Sequence, residues 1–214
     1  MIVEIIILFI ISFLVKKKYL DKGKLGERSV SKRLKRLDNN KYKVINDVIL
    51  KTSRGTSQID HLVVSNYGIF VIETKNYQGW IVGSENADNW QQIIYNKKNF
   101  FRNPIKQNYG HIKAIEENLK VNNKIEYISI IVFMNRCDLK VNTTTPVVYV
   151  YDLLKEIYKY KKHVLSEEEV KITYKMLLKA NKNSMYMRWK HLINVKNNMK
   201  KYLFSKLINL ELIY

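Results

Sequence analysis

In 214 residues, 38 Lys and Arg outnumber 19 Asp and Glu, which sets the formal charge at +19 and the pI near 9.8. That length holds one domain with appendages and a full apolar core, and the charge favours polyanionic partners, either nucleic acid or an anionic membrane surface. The single cysteine, Cys137, excludes an internal disulfide and a cysteine-based zinc site, and fits a reducing compartment.

Residues 2–15 form an apolar run closed by Lys16, Lys17 and Lys18. The run is shorter than the ~20 residues of a typical span, and it lacks the basic start and small-residue cleavage site of a removed signal peptide. Lysines directly after the segment predict a single-pass membrane anchor over 1–18, with the rest of the chain cytoplasmic. The alternative is a buried first helix, which the short length and Glu4 favour.

Residues 24–37 follow helical core spacing at Val30, Leu34 and Leu37, and Glu27 lies three before Val30 on the same stripe. A carboxylate there serves either the positive helix N-terminus or something further inside. The remaining helix surface carries Arg28, Lys32, Arg33, Lys35 and Arg36, a phosphate-friendly set. A strand is predicted over Tyr42 to Leu50, and a loop over Thr52 to Ser57.

Two β-branched runs then flank Asn66-Tyr67-Gly68, the signature of a hairpin. With a two-residue loop, Ser65 opposes Gly68, Asp60 opposes Glu73 and Gln58 opposes Lys75. Strand alternation puts Asp60, Leu62, Val64, Ile69, Val71, Glu73 and Lys75 on one face. Its middle is apolar and its open end carries two carboxylates and an amine. Like charges opposed on a sheet destabilise it, so a raised pKa, a bound cation or the lysine must offset them. Carboxylate oxygens are hard ligands of the kind Mg²⁺ takes; a rim salt bridge to Lys75 is the simpler alternative.

Short strands are predicted at Trp80–Gly83 and Trp90–Tyr95, with a turn at Asn96-Lys97. Asn103-Pro104 starts a helix to about Lys120, with Ile105, Ile112, Ile115 and Leu119 inward. Gln107 and His111 fall one turn apart on an adjoining face, where a lone histidine reads as a surface or core-edge residue. Ile125–Phe133 is a near-continuous apolar strand suited to a doubly covered sheet, and Val147–Val150 is another. Helices are predicted over 151–161 and 167–180, the second opening with a capping box, Ser166 and Glu169. This order predicts a mixed sheet with helices on both sides. Residues 183–214 hold six Lys/Arg and one Glu among regularly spaced apolar residues, predicting a basic amphipathic helix. No P-loop, no GxGxxG and no usable Ser-His-Asp spacing is present.

The chain resembles the nuclease-related domain, a branch of the PD-(D/E)xK phosphodiesterase superfamily. The resemblance rests on Gly26-Glu27, Gln58-Ile-Asp-His61, Gly68-Ile-Phe-Val-Ile-Glu-Thr-Lys-Asn-Tyr77 with Gly79, Gly83, Trp90, and Asn103-Pro-Ile-Lys-Gln107. These blocks span about Lys22 to Leu119; Ile59 stands where the superfamily name puts proline. The resemblance implies an α/β fold with a restriction-endonuclease-like mixed sheet, occupying 22–182. It implies Mg²⁺ or Mn²⁺ among Glu27, Asp60 and Glu73, with Gln107 beside the site. Lys75 would orient or activate the attacking water, or hold the scissile phosphate. The expected substrate is nucleic acid, DNA before RNA, held through Arg28, Lys32, Arg33, Lys97, Lys98 and Arg102 without reading sequence. A non-catalytic docking module of the same fold is the other reading.

Overall fold

The computed structural model describes residues 22–119 and 125–182. The predicted anchor at 2–15 and the predicted basic helix at 183–214 lie outside the described residues. Among the described residues no helix is long and apolar enough to cross a membrane.

Helix α1 covers residues 22–34. Strands β1 (Tyr42–Thr52), β2 (Gly55–Ser65) and β3 (Gly68–Lys75) follow as an antiparallel meander. Next come β4 (Gly79–Ser84), β5 (Asn89–Ile94) and β6 (Lys97–Arg102), then α2 (Pro104–Leu119). The described residues close with β7 (Tyr127–Phe133), β8 (Cys137–Asn142), β9 (Val147–Tyr149), α3 (Leu153–Ile157) and α4 (Glu167–Ala180).

The hairpin register matches expectation from Ser65–Gly68 and Val64–Ile69 on to His61–Ile72, but the expected Asp60–Glu73 and Gln58–Lys75 pairs do not form, because the ladder ends there. Gly68 has φ 120°, and a Cβ there would sit 2.5 Å from the Glu126 carbonyl oxygen, so glycine fits both the turn and the neighbouring strand. The five-stranded sheet runs β1-β2-β3-β7-β9, with β3–β7 and β7–β9 parallel. Alternation divides its side chains between two cores. Leu62, Val64, Ile69 and Val71 pack with Ala114, Ile115 and Leu119 of α2 and Val170 and Leu177 of α4. Val63, Phe70 and Ile72 pack on the other face with Val30 and Leu34 of α1 and Leu153 and Ile157 of α3. The sheet is therefore mixed and covered on both faces, and the capping box at Ser166 and Glu169 is present.

The strands expected at Trp80–Gly83 and Trp90–Tyr95 are β4 and β5, and they join β6 and β8 in a second sheet of order β6-β5-β4-β8 instead of extending the first. Its inner face sets Ile81, Trp90 and Cys137 against Ile131 and Phe133 of β7. The Trp90 indole lies 7° from parallel to the Phe133 ring and directly over Gly83, where a Cβ would meet the indole at 2.3 Å. The predicted loop at Thr52–Ser57 is in fact a two-residue turn, Ser53-Arg54, with Thr52 paired to Gly55. Its polar residues sit at the solvated end of a hairpin, where composition does not distinguish strand from loop. The β5–β6 turn falls at Tyr95–Asn96, one residue earlier than expected, with Tyr95 at φ 52°. The helix expected over 151–161 is only α3.

Asn103 fixes the start of α2. Its buried amide donates to the carbonyls of Ser84, Glu85 and Ala87, and its Oδ1 accepts from the Ile105 N–H. Each buried acceptor left without a donor costs about 1–3 kcal/mol. Asn103→Ala is expected to lower unfolding free energy by roughly 2–4 kcal/mol in urea titrations. A second expectation concerns His61, 2% exposed, whose Nδ1 meets Asn46 Oδ1 and whose Nε2 meets no partner among the described residues. Burial lowers its pKa from 6.5 to about 4. The unfolded chain then binds more protons than the folded one between those values, so stability is full above pH 6.5 and falls as pH drops towards 4. The loss from this group is about 3 kcal/mol, and His61→Gln should flatten that limb of a stability–pH curve.

Candidate active site

Glu73 stands at the end of β3 on the α2 face and is 2% exposed. Its Oε1 accepts from Lys75 Nζ at 2.6 Å and from Gln107 Nε2 at 2.7 Å. The Lys75 ammonium also donates to Gln107 Oε1 at 3.0 Å, which closes a three-member ring of polar groups. Period two along β3 points Glu73 and Lys75 the same way. Gln107 completes the ring because Asn103, one turn earlier, fixes the register of α2. One turn later, His111 Nε2 lies 3.1 Å from Glu73 Oε2, and its Nδ1 lies 2.8 Å from Ser57 Oγ. An ionised carboxylate only accepts, so Nε2 carries the hydrogen and donates to Glu73.

Asp60 sits where the sheet opens. The β2–β3 ladder stops at His61–Ile72, and the β1–β2 ladder skips the Asp47–Asp60 position, where Asp47 has φ 55°. The Thr74 N–H, which a continued ladder would have given to β2 backbone, donates to Asp60 Oδ2 at 2.8 Å. Glu27 reaches this region from α1, on the other side of the sheet. Gly26 lets the helix come close, since a Cβ there would touch Asn76 Cβ at 3.1 Å and Thr74 Cγ2 at 3.3 Å. Asn76 also donates to the Lys22 carbonyl at 2.7 Å.

The electrostatics separate buried Glu73 from half-buried Asp60. Burial alone would raise the Glu73 pKa, but the Lys75 ammonium and the His111 bond bring it down to about 2. Burial would lower the Lys75 pKa; the Glu73 carboxylate more than offsets this, and the ammonium is held above its ordinary value. Burial, then the Glu73 charge, then the Glu27 charge lift Asp60 well above the carboxylate range, against the Thr74 N–H and Lys75. Charge on Asp60 is therefore the less compensated of the two. A hard cation would relieve it, so the oxygen donors suit Mg²⁺ or Mn²⁺ chemically. As they stand, however, no three His, Cys, Asp or Glu groups among the described residues converge as an ion cage, and Glu73 is engaged by Lys75, Gln107 and His111.

Lys75 opens onto a cleft of about 320 Å³, lined also by Lys22, Asn76, Tyr77, Asn99 and Arg136. Asp60, Glu73, Lys75 and Gln107 thus come together, with Glu27 acting on Asp60 from the α1 layer. Of the residues expected to hold phosphate, Arg28, Lys32, Lys97, Lys98 and Arg102 are exposed. Arg33 is half-buried, and its Nε donates to the Val150 carbonyl, tying α1 to the segment after β9. His111 was expected at a surface or core edge, yet it is buried against Glu73; its helical spacing from Gln107 was the available signal. Ser57, Lys22 and Arg136 carried no sequence signal, since each depends on tertiary placement.

Residues 22–134 match the nuclease-related domain. An uncharacterized protein of Bacillus anthracis is 42% identical over 194 residues, covering 87% of this chain and 91% of its own. No solved structure matches. One expectation follows from the charge on Asp60. Its folded pKa is raised, so the folded state binds the extra proton and stability falls as pH rises through that value. In metal-free buffer at neutral pH, Asp60→Asn should therefore raise the Tm, and the gain should vanish below the ordinary carboxylate pKa.

Proposed function

Since this chain belongs to the nuclease-related domain family, within the PD-(D/E)xK superfamily, we propose that it hydrolyses phosphodiester bonds of nucleic acid, DNA in the first instance. The observation that carries this reading is the under-compensated, half-buried carboxyl of Asp60 beside the Glu73–Lys75–Gln107 ring, whose lysine lines a basic cleft. Asp60 and Glu73, with Glu27 as a third carboxylate, would hold Mg²⁺ or Mn²⁺ in a restriction-endonuclease-like core. When bound, the cation would polarise the phosphoryl oxygen and acidify a bound water.

The chain's own groups divide the remaining work. Lys75 stays protonated at neutral pH, because its pKa is raised. It therefore acts as a charge on the scissile phosphate or as a donor that orients water, and not as the general base. Gln107 fixes both Glu73 and Lys75 through the two ends of its amide. Lys22 and Arg136 supply charge to the phosphates on either side of the break. Residues 2–15, followed by three lysines, would tether this activity to the cytoplasmic face of a membrane; flotation of the full chain with anionic vesicles tests that arrangement.

A second reading has one observation in its favour: Glu73 already accepts hydrogen bonds from three protein side chains. A docking module with a nuclease-like fold would keep such a ring closed and bind no cation. Calorimetric titration with Mg²⁺ separates the readings, since heat of binding that disappears in Asp60→Ala supports the enzyme. In cleavage assays with Mg²⁺ or Mn²⁺, Lys75→Ala and Asp60→Ala should each lower the rate by about 10²–10³-fold, and EDTA should abolish it. Unchanged cleavage in both variants would overturn the assignment.

A further inference from the structure

The second sheet has one face packed on β7 and another that nothing among the described residues covers. Alternation from the buried Ile81 and Trp90 sends Trp80, Val82, Gln91, Ile93, Lys98, Phe100, Arg102 and Lys140 to that outer face. Trp80 is 50% exposed and Phe100 66%, unusual values for large rings on a sheet. Cations stand among them: Lys140 Nζ lies 4.8 Å from the centre of the Trp80 ring, Lys98 and Arg102 share β6 with Phe100, and Asp138 is the one acidic residue on these strand positions.

We propose that this face is a stacking platform for single-stranded nucleic acid, which makes the substrate a single strand or a duplex with an unpaired end. Bases stack on exposed rings, and cations between the rings neutralise the backbone. A duplex keeps its bases stacked on each other and offers no free face to Trp80 or Phe100. The platform is also continuous with the Lys75 cleft. Gln78 and Ile94 line that cleft and also line the hollow holding Trp80 and the 95%-exposed Tyr95. A strand leaving Lys75 past Gln78 therefore meets Trp80 next. The proposal rests on the nuclease reading for what happens at Lys75, and on the outer face for how the strand is held.

The test is fluorescence anisotropy of the full chain with a labelled 12-nucleotide single strand and with the matching duplex, both in EDTA so that nothing is cut. Trp80→Ala and Phe100→Ala should each weaken single-strand binding roughly tenfold to a hundredfold and leave duplex binding much less affected. Trp80→Phe should recover most of the loss, and the single strand should quench tryptophan emission in the native chain. Unchanged single-strand affinity in both alanine variants overturns the proposal, as does an equal loss for strand and duplex. Unchanged affinity together with a dimer that dissociates in Trp80→Ala, read by light scattering, would give the face to a second copy and also overturns it. Trp80-dependent strand binding without any Mg²⁺-dependent cleavage would refute the nuclease reading and keep this one; cleavage of duplex without such binding would do the reverse.

Discussion

A carboxylate cannot be taken out of water at the end of a sheet unless something takes over the work of the water, and the arrangement around Glu73 answers that demand. Lys75 supplies the countercharge, Gln107 and His111 supply hydrogen-bond donors, and together these outweigh the desolvation that would otherwise neutralise the acid. Each partner in turn has its own support. Asn103 sets the register that delivers Gln107 and His111, Ser57 accompanies the far nitrogen of His111, and β7 holds β3 through Glu73–Ile131 and Lys75–Phe133. The site is thus as rigid as the helix start and the parallel strand pair that frame it.

Asp60 shows the complementary behaviour. The end of the β2–β3 ladder and a one-position break against β1 give it room, a single backbone N–H holds it, and two nearby carboxylates oppose its charge. A fold selected only for stability would have placed a neutral residue here. Structural ion-pair networks and functional sites both produce tension of this kind, and here it falls on a residue next to the Glu73–Lys75 pair.

The central hairpin was legible because a two-residue loop leaves a single register, and that register fixed which residues share a face with Glu73. The helix after Asn103 was legible for a similar local reason: a cap, a proline and a regular apolar stripe. What escaped were features decided by distant contacts. β8 exists because it lies alongside β4, more than fifty residues earlier in the chain. The Ser53-Arg54 turn has the composition of a loop. His111 becomes part of the site through Glu73, which lies across the α2–sheet interface. The placement of Asp60 near Glu73 was legible, but not the hold of Lys75, Gln107 and His111 on Glu73, because a register says which side chains face each other and not which of them bond.

The parallel pairing of β3 with β7 has a bearing on how the molecule assembles. Between these neighbours lie the whole of β4, β5, β6 and α2, and β4 itself waits for β8, which is made later still. Contacts so far apart in the chain are entropically slow to close. During synthesis, the hairpin bearing Asp60 and Glu73 leaves the ribosome well before the strand that seals it. Until then its apolar edge is unpaired, and the nascent chain is open to capture by chaperones or by other unfinished copies.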